Sequence, residues 1–78
     1  MMTVRQLKAA RALLNWSQSN LAKESGISIP TIGRLETADG PLGGRPETAE
    51  KLIAALEGAG IEFIGDVGLK LRRPKGRR

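Results

Sequence analysis

The sequence predicts a mainly α-helical domain of four helices closed by a short C-terminal β-hairpin or strand. Three observations predict it. Apolar residues recur at helical spacing in four successive segments, each opened by a capping residue or a proline. A glycine, Gly26, leaves room for only a tight turn between the second and third segments. Two short β-prone runs, Ile61 to Ile64 and Val67 to Leu71, follow the fourth. At 78 residues the chain is expected to form one small domain, without a separate effector-binding or catalytic domain.

The elements follow in order. Thr3 and Gln6 have the form of a capping box, Met2 and Leu7 can staple it, and helix 1 is expected from Val4 to about Asn15. Val4, Leu7, Ala10, Arg11 and Leu14 form its inner face. Ser17 caps a second helix, Gln18 to Ser25, with Trp16 and Leu21 as the staple. Trp16, placed between two helices, is assigned to core packing rather than to stacking on a base. Ser28 caps a third helix, Ile29 to about Thr37. Ile27 and Ile32 repeat the staple, and Pro30 falls in the first turn, where no intrahelical acceptor awaits its missing N–H. Ala22 is small enough to let these two helices cross closely.

The stretch ADGPLGGRPE reads as an exposed loop. Helix 4 is expected from Pro46 to Ala59, with Glu47 and Glu50 at its positive end, Leu52, Ile53 and Leu56 inward, and Gly60 ending it. Gly65-Asp66 is the turn between the strands. A lone hairpin is marginal in water, so the strands are expected to pair with their equivalents in a second subunit, the preferred arrangement, or to cover the helical core.

Hydrophobic residues make up 40% of the chain but aromatics only 3%, so Leu, Ile, Val and Ala must build the core. Cysteine and histidine are absent, which removes disulfides, thiolate nucleophiles, imidazole bases and the usual zinc ligands. No catalytic, cofactor-binding or metal-binding set is expected. The N-terminus reads as an amphipathic helix and not as a signal peptide, and no apolar run reaches the roughly 18 to 20 residues of a membrane span. A cytoplasmic protein is expected. The net charge of +5 is uneven: Lys70 to Arg78 hold six basic residues, while residues 1–69 hold seven basic and eight acidic ones.

Gln18, Leu21, Ala22, Gly26, Ser28, Ile32, Leu35 and Glu36 together resemble the helix-turn-helix core of the Cro/repressor-type, or XRE-type, family. Extended outward, the resemblance covers roughly Thr3 to Leu56, with Arg11 placed like the helix 1 arginine that pairs in this family with the glutamate found here as Glu36. It implies a lambda-repressor-like helix-turn-helix domain over residues 1–60. Residues 61–71 then form dimerisation strands and residues 72–78 a flexible basic tail. The C-terminal strands depart from the all-helical form of the family.

The resemblance also implies a DNA-binding set. Gln18 meets phosphate at the start of helix 2, and Ser28, Ile29, Pro30, Thr31, Gly33 and Arg34 lie on the exposed side of the recognition helix. Arg34 is the leading reader, able to fork onto guanine O6 and N7, while Ile29 or the Thr31 methyl suits a thymine methyl. Pro30 and Gly33 stand where the family often has polar readers, which shifts part of the readout to DNA shape. Arg5 and Arg45 are candidate backbone contacts. Arg72, Arg73, Lys75, Arg77 and Arg78 are either a phosphate-gripping arm or a solubilising tail. Arg11 and Glu36 are structural.

The expected function is a sequence-specific transcriptional regulator, a homodimeric repressor reading a palindromic operator in double-stranded DNA through Ile29 to Thr37. The alternative is an antitoxin-like DNA-binding protein that also neutralises a partner toxin.

Overall fold

A computed structural model describes residues 2–72. Four helices are followed by two strands: α1 (Val4–Leu14), α2 (Gln18–Ser25), α3 (Ile29–Glu36), α4 (Pro46–Gly58), β1 (Ile61–Ile64) and β2 (Gly68–Leu71). Each helix and β1 place at least one buried side chain in a common core, and β2 packs against it through Leu69. Met2, Leu7, Ala10, Leu21, Ile32, Leu52, Leu56 and Ile61 are buried together, and Trp16, Ala22, Ile27, Leu35, Phe63 and Leu69 pack around them. Each large aliphatic side chain so buried contributes about 1.5–3 kcal/mol. Trp16 is therefore a packing residue.

Local chemistry sets the helix starts. Thr3 and Gln6 form a reciprocal capping box at α1, Ser17 and Asn20 form another at α2, and the Ser28 hydroxyl accepts from the Thr31 N–H at α3. Pro46 opens α4 behind Arg45, which makes no side-chain cap. Gly26 ends α2 with φ +78°, a left-handed conformation that glycine adopts without steric penalty.

The ends differ slightly from the sequence expectation. Asn15 lies outside α1 as a left-handed cap at φ 58°, Thr37 caps α3, and Ala59 caps α4 in a right-handed conformation. Gly60 takes the reversal after it, at φ +110°. A Cβ there would lie 3.2 Å from the Arg72 carbonyl oxygen, so glycine is needed where the second strand passes.

The stretch between α3 and α4 is exposed in most side chains, but its backbone is fastened to the chain start. Val4 N–H donates to the Gly40 carbonyl at 2.9 Å, Leu42 N–H donates to the Met2 carbonyl at 3.1 Å, and Thr3 bridges Pro41. Leu42 anchors it by packing on the core.

The strands pair antiparallel with each other, Ile61 opposite Leu71 and Phe63 opposite Leu69. Val67 belongs to the turn and not to the strand, because the connection is three residues, Gly65 to Val67. The inward face of the hairpin is Ile61, Phe63 and Leu69, while Glu62, Ile64 and Lys70 face out. The hairpin thus covers the helical core within the chain itself. It is also tied down at its turn: Gln6 Nε2 donates to the carbonyls of Gly65 and Gly68, both at 2.9 Å, and Thr3 Oγ1 donates to that of Asp66 at 3.2 Å.

Candidate nucleic-acid interface

The α2–turn–α3 unit is held from below by apolar packing and from one side by a polar knot. Leu21 and Ile32 are both fully buried, and Ala22 and Ile27 pack beside them. The Ile27 N–H donates to Ser25 Oγ at 3.1 Å, which steadies the turn after Gly26.

The knot joins three elements. Arg11 donates to both carboxylate oxygens of Glu36, from Nε at 2.8 Å and Nη2 at 2.7 Å, and its Nη1 donates to the Trp16 carbonyl at 2.9 Å. Gln18 Nε2 donates to Glu36 Oε1 at 3.0 Å. The end of α3 is thereby fixed against α1, the α1–α2 link and the first residue of α2. Burial pushes the Glu36 carboxyl upward, but the hydrogen bonds from Arg11 and Gln18, with the nearby charges of Arg11 and Lys8, prevail and hold it below the ordinary carboxylate range. The Arg11 guanidinium is raised by its hydrogen bond to Glu36, against the opposing effect of burial.

Gln18 is consequently half committed. One N–H of its carboxamide is spent inside the motif and the Asn20 N–H is taken by the Ser17 hydroxyl, which leaves the second carboxamide N–H of Gln18 and the backbone N–H groups of Gln18 and Ser19 for an anion.

On α3, Ser28, Ile29, Pro30 and Arg34 are exposed, and Thr31 and Gly33 are half-buried. The two hydroxyls are engaged with each other, Ser28 Oγ donating to Thr31 Oγ1 at 2.9 Å. Arg34 is different, since no hydrogen bond or ion pair holds its guanidinium among the described residues. It lines a shallow cleft with Thr31, Leu35, Gly44, Arg45 and Thr48. Two arginines from separate elements, Arg34 on α3 and Arg45 at the start of α4, are brought together there. Thr48, which nothing in the sequence singled out, completes the cleft because α4 begins beside α3.

The remaining basic candidates lie elsewhere. Arg5 is 4.0 Å from Asp39 and Arg72 is 3.9 Å from Glu62, both loose surface pairs of little energetic weight. Arg73, Lys75, Arg77 and Arg78 lie outside the described residues. Among the described residues, no group of three or more His, Cys, Asp or Glu is placed to hold a metal ion, and no helix is long and apolar enough to cross a membrane.

Comparison with curated proteins gives no significant match. A helix-turn-helix family model matches residues 7–58, two thirds of the chain, from the middle of α1 to the last residue of α4. That span contains the polar knot, the turn at Gly26 and the Arg34–Arg45 cleft. The chain therefore belongs to the XRE-type helix-turn-helix family of DNA-binding transcription regulators.

Proposed function

We propose that the protein is a homodimeric repressor that reads a palindromic operator through α3 and acts by occupying the DNA. The observation that carries this reading is Arg34: an exposed guanidinium on the last turn of α3, free of protein partners among the described residues, on an element otherwise fixed by buried side chains and the Arg11–Glu36 pair. A free fork on a rigid helix suits bidentate contact with guanine in the major groove. Arg45 and the start of α2 flank it on either side and supply phosphate contacts that set register. One chain carries a single α3. Reading two half-sites about 34–36 Å apart therefore takes two copies.

Selection of bound duplexes from a random library, with sizing of the complexes at near-physiological salt, tests the proposal. An inverted repeat occupied by two chains is expected. Binding without sequence preference would overturn operator reading, and a single chain on an isolated half-site would overturn the dimer.

A further inference from the structure

Ile29, Pro30 and Gly33 form a ridge on α3, since Gly33 stands four and three residues beyond the other two. This ridge carries no hydrogen-bonding side chain, although Arg34 follows Pro30 by four residues and borders it. Its glycine is not explained by the fold. Gly33 is inside an eight-residue α-helix, where glycine is less favourable than alanine, and its φ is not in the left-handed region. A Cβ added there would meet only Gln18 Oε1, at 3.7 Å, an ordinary van der Waals distance. Gly60 makes the contrast, because there both the backbone angle and the passing strand demand glycine.

A glycine that neither conformation nor packing requires leaves bare backbone for the close approach of another molecule. We infer that Gly33 is a positioning residue for DNA readout, its bare Cα allowing a thymine methyl to seat against the ridge of Ile29, Pro30 and Gly33. The inference rests on the operator reading proposed above. In the major groove the C5 methyl of thymine is the apolar feature of the base edges, and a ridge without donors or acceptors complements it better than it complements any hydrogen-bonding edge. A methyl added at position 33 occupies the seat, holds α3 off the groove and lengthens the reach asked of Arg34.

The test compares wild-type protein with Gly33→Ala on the selected operator, and on the same operator with its thymines replaced by deoxyuridine. The variant is expected to melt about 4–8 °C higher when free, from the gain in helix propensity. It is expected to bind the thymine operator about tenfold or more weakly, and to approach wild-type affinity within about threefold on deoxyuridine DNA, where the competing methyl is gone. Undiminished binding by Gly33→Ala would overturn the inference. Equal losses on thymine and deoxyuridine DNA would overturn the thymine assignment. Failure of the wild-type protein to select any sequence would instead sink the operator reading, and this inference with it.

Discussion

The side chain of Gln6 joins the first turn of α1 to the hairpin turn at Gly65, its Nε2 lying 2.9 Å from the Gly65 carbonyl oxygen and 2.9 Å from that of Gly68. Its Oε1 accepts from the Thr3 N–H at 3.0 Å, so both ends of the carboxamide are used and the residue is 1% exposed. One polar side chain therefore caps a helix and fastens a sheet lying about sixty residues away in sequence.

Replacing Gln6 by leucine should consequently destabilise the domain by about 2 kcal/mol or more, since each buried group left unsatisfied costs about 1–3 kcal/mol. Gln6→Glu is the sharper variant. A carboxylate facing two carbonyl oxygens is disfavoured in the fold, so its pKa must rise there. The penalty is then absent in acid and develops as pH climbs from the unfolded value through the raised folded one. Urea melts from pH 3 to 8 (roughly the range that brackets both values) should show the variant losing stability relative to wild type as pH rises. A gap that stays constant would remove Gln6 from the hairpin clamp.

The Arg11–Glu36 pair makes the opposite pH prediction. Its carboxyl is held below the ordinary range, so the stability it contributes is present at neutral pH and is lost in acid, below about pH 4, as pH falls through the lowered value. Arg11→Met alone should cost about 3–5 kcal/mol, because Glu36, 6% exposed, is left charged without its partner. Arg11→Met with Glu36→Leu should recover most of that loss. If the double variant is no more stable than the single one, the pair is not an isolated ionic fastening and α3 is held by something else.

The two arginines of the cleft should separate in their effects on binding. Arg34→Ala should reduce operator affinity by about 1–3 kcal/mol and relax preference at one base position, whereas Arg45→Ala should weaken cognate and unrelated DNA alike and lower the salt slope by about one. Titrations at several salt concentrations on both DNAs distinguish the two. Parallel losses for Arg34→Ala would reduce it to a phosphate contact and leave the readout to other residues.

How much was legible in the sequence depended on the range of the interaction. The α2–turn–α3 unit was readable because Ser17, Gly26, Ser28 and Pro30 act within one helical turn of themselves, and local chemistry of that kind is written in adjacent letters. The αL cap at Asn15 is equally local, but asparagine is a weaker stop signal than glycine, so the sequence pattern runs the helix on to Asn15. Gln6 was recognised as half of a capping box, yet nothing in a linear pattern says that its remaining N–H groups face a turn at Gly65. The α3–α4 stretch reads as an exposed loop because its composition is that of a turn, and most of its side chains are exposed, while its bonds to Met2 and Val4 are long-range and backbone-borne and leave no mark in that composition. Family resemblance and the positive end of α2 place Gln18 at a phosphate. Its hydrogen bond to Glu36 depends on the crossing of α2 and α3, which only the folded chain defines.

The hairpin raises the last prediction, because it is part of the core and also the element proposed to join two chains. Truncation after Gly60 cannot test the second role cleanly, since it removes Ile61, a buried member of the core, and the carbonyls that satisfy Gln6. That deletion should unfold the domain. A surface substitution separates the roles: Ile64 is 53% exposed on the outward face, so Ile64→Lys leaves the packed side of β1 untouched. If the outer face of the hairpin meets a second copy, this variant should sediment as a monomer with undiminished helical content. It should also lose affinity for a two-half-site operator while keeping the weak affinity of wild-type protein for one half-site. A lysine at this position across a two-fold axis would place like charges close together and remove apolar contact, both of which oppose association. A dimer that survives Ile64→Lys with its operator affinity intact would move the interface away from the strands and onto the exposed surface of the helices.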